Sequence, residues 1–102
     1  MRIIKTSTLK AFYAERREAE ASLKTWIALS RAAEWRSFAD VRKTFPTADA
    51  VVVASGRSVV VFNIAHNRYR LITAVHYRSQ IVFTLRVLAH KEYDRDLWRQ
   101  QL

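Results

Sequence analysis

Arg70, Arg86, His90 and Tyr93 are the residues whose chemical types suit work on a phosphodiester. An imidazole titrates near neutrality and can take or give a proton. Guanidinium forks match phosphate oxygens in pairs. A phenol can hydrogen-bond a reacting oxygen or stack on an unpaired base. Internal scission of RNA needs these groups: one to take the 2′-hydroxyl proton, one to protonate the leaving 5′-oxygen, and cations to hold charge developing on phosphorus. Asn63, Asn67, Arg68 and Lys91 flank the four and add polar contacts for an RNA strand. The scheme requires neither a metal nor any other cofactor.

The charge distribution points the same way. The chain has 18 Lys and Arg against 9 Asp and Glu, a formal net charge of +9 over 102 residues. Residues 1–49 carry both signs, an ordinary mixed surface. From Ala50 to Lys91 there is no Asp or Glu, while Arg57, Arg68, Arg70, Arg78, Arg86 and Lys91 remain. A localised cationic stretch of this kind attracts polyanions.

Other chemistries lack support. There is no cysteine, hence no disulfide framework, thiol nucleophile or cysteine zinc site. Three separated histidines make a poor zinc set. Gly56 is the sole glycine, so there is no glycine-rich phosphate loop. Met1–Lys10 has no apolar segment of signal-peptide type, and the longest apolar run, Ala50–Ala54, falls far short of the ~20 residues that span a bilayer. The expectation is a soluble cytoplasmic protein with no membrane partner. The same residues also have plainer readings: solvated strand arginines, a histidine closing a strand end, a tyrosine packed in the core. His66 in a turn and His76 on a strand read as structural or peripheral.

The elements that must position these groups form one α+β domain, residues 1–102. Arg2–Ile4 is β-prone, an edge-strand candidate, and Thr6–Thr8 offers helix caps. Leu9, Phe12 and Tyr13 share one helix face, and Leu23, Trp26, Ile27 and Ser30 share another, out of register with the first. Two helices are expected, the second ending near Glu34–Trp35. Phe38–Phe45 suits one or two helical turns stopped by Pro46, or a loop tethered by aromatics. A β-branched run at Ala50–Ala54 and a turn at Ser55–Arg57 lead into strands at Ser58–Ile64, Tyr69–Tyr77 and Gln80–Ala89. The short links require an antiparallel meander. Lys91–Leu102 reads as one closing helix. The helices should cover one face of the sheet.

Side chains alternate across a strand. Unbroken alternation would set Ile81, Phe83, Leu85, Val87 and Ala89 toward the helices and turn Arg86 and His90 to the other face. Arg70 shares parity with Ile72, Ala74 and His76; which parity faces outward depends on register.

Several blocks carry a resemblance. Phe62-Asn63-Ile64, Asn67, Tyr69-Arg70-Leu71 and His90-Lys91-Glu92-Tyr93-Asp94 resemble the HigB family of bacterial toxins, as do Ile3-Ile4, Leu9-Lys10-Ala11-Phe12-Tyr13 and Trp35 ahead of Pro46. The resemblance implies a RelE-like fold and a ribosome-dependent endoribonuclease that cuts translated mRNA without a metal. It also implies a HigA-like helix-turn-helix antitoxin as partner, with operator DNA contacted only through that antitoxin. Asn63, Asn67, Arg70, His90 and Tyr93 match the family's blocks, whereas Arg86 enters on parity and charge alone. Ala89 departs from the family's usual threonine before the histidine, removing a hydroxyl that can cap the last helix. Two other functions fit a fold of this kind: a ParE-like inhibitor of gyrase, and an RNA- or ribosome-binding module with no catalysis.

Overall fold

The computed structural model describes residues 1–102. The chain runs β1 (Arg2–Ile4), α1 (Thr6–Glu15), a single 3-10 turn, α2 (Glu20–Ala32), α3 (Phe38–Thr44), β2 (Asp49–Val52), β3 (Ser58–Ile64), β4 (Tyr69–His76), β5 (Ile81–Ala89), α4 (His90–Asp94) and α5 (Trp98–Gln101). The five strands form one mixed sheet in the order β1-β5-β4-β3-β2. The meander β2 to β5 is antiparallel, and β1 lies at the edge parallel to β5. No helix is long and apolar enough to cross a membrane.

Two helices precede the sheet, as the out-of-register faces imply, but α2 stops at Ala32, short of the expected Glu34–Trp35. None of Thr6–Thr8 caps α1; Lys5 takes that position in the left-handed region, φ 68°. The expected closing helix is two short ones, α4 and α5, separated around Asp96 with φ 61°.

The main core lies between α1, α2, α3 and one face of the sheet. Leu9, Leu23, Trp26 and Val41 meet Val60, Phe62, Leu71 and Val82 there. Aromatic contacts fasten the two layers: Trp26 lies edge-on to Phe62 at 5.4 Å, Phe45 edge-on to Phe62 at 5.2 Å, and Trp35 stacks on Phe62 at 6.3 Å. Such pairs add about 0.5–1.5 kcal/mol each beyond area burial.

The opposite face is not bare, contrary to the expectation that helices cover only one side. Trp98 of α5 lies on Val51, Val59, Val61 and Ile72 in a second, smaller cluster.

Strict alternation along β5 fails for a local reason. Ile72 pairs with Arg86 but Thr73 pairs with Thr84, leaving Leu85 as an extra residue. This β-bulge shifts the facing by one. Before it, Val82 and Thr84 face the helices while Phe83 contacts His76 across the other face at ring distance 5.0 Å. After it, Val87 faces the helices, while Leu85 and Leu88 join the Trp98 cluster. Thr84 supplies a cause: its hydroxyl lies 3.1 Å from the Ile4 carbonyl and 2.9 Å from that of Lys5, so it must point to the β1–α1 junction.

Candidate functional site

Asn63 and Arg70 sit directly opposite each other on β3 and β4. The face they share is the one away from the main core, because their neighbours Val61 and Ile72 pack in the Trp98 cluster. Ladder pairing with β2 ends at Asp49↔Val61, so β4 is the only sheet neighbour of β3 beyond that point. The opening left beside Asn63 is a cleft of about 420 Å³ lined by Arg42, Thr47, Asp49, Asn63, Arg70 and Tyr93.

Tyr93 is placed by α4 and then fixed by α5. Its ring stacks on Trp98 at 5.1 Å, and the Trp98 indole N–H donates to the Tyr93 carbonyl at 3.0 Å. Arg70 also lies over the Tyr93 ring, with Cζ 5.6 Å from its centroid. That is cation–π range. Burial raises the Tyr93 phenol above its usual pKa, with Asp49 adding to the effect and Arg70 and Arg99 opposing it. The hydroxyl therefore stays protonated near neutral pH, available as a hydrogen-bond donor.

The turn between β3 and β4 is the other half of the site. Arg70 Nη1 donates to the Asn67 carbonyl at 2.8 Å, so the guanidinium is tied to this turn. Ala65, His66 and Asn67 all have left-handed backbones, with φ 52°, 54° and 71°. For a residue such as Ala65 that region costs roughly 1–2 kcal/mol, while His and Asn enter it more readily. Strain of this kind persists where surroundings hold it, frequently at functional sites. The Ala65 N–H finds the Ser22 hydroxyl at 3.0 Å, anchoring the turn to α2.

His90 opens α4 beside this turn, its backbone N–H donating to the Arg68 carbonyl at 3.0 Å. Its Nε2 lies 3.3 Å from the Asp94 carboxylate. Ala89 precedes it with no side-chain oxygen to cap the helix. Only the return contact exists, the Ala89 N–H to Glu92 Oε1 at 3.4 Å. His90, Lys91, Arg68 and Asn67 line a shallow groove of about 480 Å³ over the turn.

The sequence-predicted residues thus fall into three places. Asn63, Arg70 and Tyr93 share the cleft. Asn67, Arg68, His90 and Lys91 share the adjoining groove, joined to the cleft through the Arg70–Asn67 bond. Arg86 stands apart, in a third depression with Leu88, Glu92 and Trp98, and its Nε is buried without a partner. The register Ile72↔Arg86 puts it on the sheet face of Arg70, a point parity alone left open, but not in its cleft. Missed in the sequence were Thr47 and Asp49, which sit in the cleft although they precede the carboxylate-free stretch. Their signal was weak: only the chain path after Pro46 brings them to β3. Arg42 is also there, held by two bonds to the Pro46 carbonyl at 3.0 and 3.3 Å. The largest depression, about 710 Å³ around Arg2, Arg31, Arg36 and Arg78, lies at the opposite end of the sheet and contains no imidazole.

Fold and site define a class: a small basic α+β protein with an arginine–tyrosine cleft on the sheet face away from its main helical layer, and a histidine in an adjoining groove where β4 begins and β5 ends. A family model for the HigB toxin, described as the RelE-like toxic component of a toxin-antitoxin system, matches residues 19–96. The chain belongs to that family and is the toxic component of a toxin-antitoxin system, with an antitoxin as its partner. A comparison with curated proteins finds no match.

Proposed function

We propose that this toxin is a ribosome-dependent endoribonuclease, an mRNA interferase that cuts translated messages and so halts translation and growth. The observation that carries the reading is the Arg70–Tyr93 pair, held beside the turn to which the His90 backbone N–H is bonded. Arg70 binds the scissile phosphate and holds charge as it develops, a role worth about 100- to 1,000-fold in comparable sites. The Tyr93 hydroxyl, kept protonated, donates to a phosphate oxygen, and its ring gives an unpaired base a surface to stack on. His90 transfers a proton to or from the reacting oxygens. Asn63, Asn67, Arg68 and Lys91 hold the strand on either side. The 2′-hydroxyl is the nucleophile, so no metal is called for. Arg86 supports the positive potential of the face from its separate depression.

The fold fits the RelE-like arrangement as a single toxin domain. The antitoxin we expect is HigA-like, with a helix-turn-helix domain through which alone operator DNA is contacted. A toxin that acts on translating ribosomes would act in the cytoplasm. Induction of the toxin alone in bacteria should arrest growth and create new 5′ ends inside coding regions; Arg70→Ala or His90→Ala should relieve both. Intact messages with broken DNA would instead favour a gyrase inhibitor, and intact messages with salt-sensitive ribosome binding a non-catalytic module.

A further inference from the structure

His66 attracts little notice in the sequence, where it reads as a turn residue. The structure places it in the groove that also holds His90, with Arg68 and Lys91 alongside. We propose that His66 is a second proton-transfer group for the RNA scission assigned above, an inference that rests on that reading.

Three observations support it. First, the backbone at His66 is left-handed, φ 54°, between two further left-handed residues. Glycine adopts that conformation without strain, yet the chain's only glycine is Gly56, in a different turn. Histidine is one of the few other residues that enter that region readily, so the turn presents an imidazole where most side chains would be disfavoured. Second, the turn that carries His66 is hydrogen-bonded through its following residues to both His90 and Arg70. The His90 N–H is bonded to the Arg68 carbonyl at 3.0 Å, and the phosphate-binding candidate Arg70 is bonded to the Asn67 carbonyl at 2.8 Å. Third, the surroundings are those of a phosphate-facing pair. His66 and His90 line the groove together with Arg68, Tyr69 and Lys91; Glu18 and His66 also line a separate depression of about 580 Å³ toward α2, and Asp94 contacts His90 Nε2.

Two imidazoles complete the proton traffic of the step. One takes the proton of the 2′-hydroxyl as that oxygen bonds to phosphorus. The bond from phosphorus to the 5′-oxygen breaks, and the other imidazole, already protonated, gives its proton to that oxygen. The products are a 2′,3′-cyclic phosphate and a 5′-hydroxyl. The two histidines end with exchanged protonation states, which water restores.

The test uses the purified chain with translating ribosomes carrying a defined message. His66→Gly removes the imidazole and also suits the left-handed backbone, so the variant should melt no lower than wild type. Cleavage should slow by about 100-fold or more, and one limb of the bell-shaped pH–rate profile should disappear. Added imidazole should restore part of the rate in His66→Gly and none in Arg70→Ala. Wild-type rates and an unchanged pH profile in His66→Gly would overturn the role of His66 and leave the ribonuclease reading standing. A slow variant with an unchanged profile and no rescue by imidazole would mark His66 as a turn-shaping residue and likewise overturn the proposal. Failure of the wild type to cut would overturn both.

Discussion

The two faces of the sheet have been built for different tasks. Toward α1, α2 and α3, the side chains of Phe62, Leu71 and Val82 are at most 1 % exposed and pack in a cluster of fifteen buried apolar residues. On the opposite face an apolar floor of Val59, Val61 and Ile72 is equally buried under Trp98, but Asn63, Arg70, Arg86 and Tyr93 stand around it. The first face is a core that holds the molecule together. The second uses a minimal core as a platform for polar groups, which explains why a five-residue and a four-residue helix suffice to cover it. The lesson is that stability and chemistry are separable here by side of sheet.

Substitutions can break or sharpen that separation. Trp26→Ala, on the core face, should lose about 3–5 kcal/mol. That is a large part of the roughly 5–15 kcal/mol typical of a whole domain, so chemical denaturation should show a mostly unfolded or strongly destabilised variant. Trp98→Ala should fall at the lower end, about 3 kcal/mol, because its cluster has only six buried members. It should also reduce message cleavage, since the Tyr93 ring loses its stacking partner. Arg70→Ala should do the reverse of Trp26→Ala: cleavage down about 100-fold, with the melting temperature within about 2 °C of wild type. Arg86→Met removes a buried donor that has no partner. Its stability should stay within about 1 kcal/mol of wild type or rise, and cleavage should fall less than in Arg70→Ala.

The smallest expected effects are pH-dependent. Burial raises Tyr77 and Tyr93, so the folded state binds those protons more tightly than the unfolded chain. Their contribution is complete below the unfolded value of about 10 and is lost as pH rises through the higher folded values. Denaturation midpoints should therefore drop in strong alkali, and less steeply in Tyr77→Phe. Tyr69 donates to the Glu18 carboxylate, which raises Tyr69 and lowers Glu18. The Glu18 contribution is present above its unfolded pKa and is lost as pH falls through its lowered folded value. A Tyr69→Phe melting deficit, small because the pair is exposed, should vanish in acid.

Much of this was legible in the residues. Runs of Val, Ile and Phe gave the strands, and the change of apolar register between Tyr13 and Leu23 gave two helices. Parity put Arg70 and Arg86 on faces that could be compared. What escaped was long-range geometry. The bulge at Leu85 is invisible in an alternation that looks perfect from Ile81 to Ala89, because its cause, Thr84 reaching the Ile4 and Lys5 carbonyls, lies at the other end of the chain. The placement of Trp98 on the second face, which sets Arg86 apart from Arg70, depends on a left-handed Asp96 that no periodicity signals. Thr47 and Asp49 reach the cleft through the path after Pro46, and His66 reaches the groove of His90 through a left-handed turn whose sequence contains no glycine.

Mapping RNA ends on ribosome-bound messages exposed to purified toxin bears most directly on the chemistry assigned to the second face. The account predicts cuts within coding sequence that leave 2′,3′-cyclic phosphate ends, and their loss in a folded Arg70→Ala protein. Uncut messages with the wild type, or equal cutting by Arg70→Ala, would contradict it.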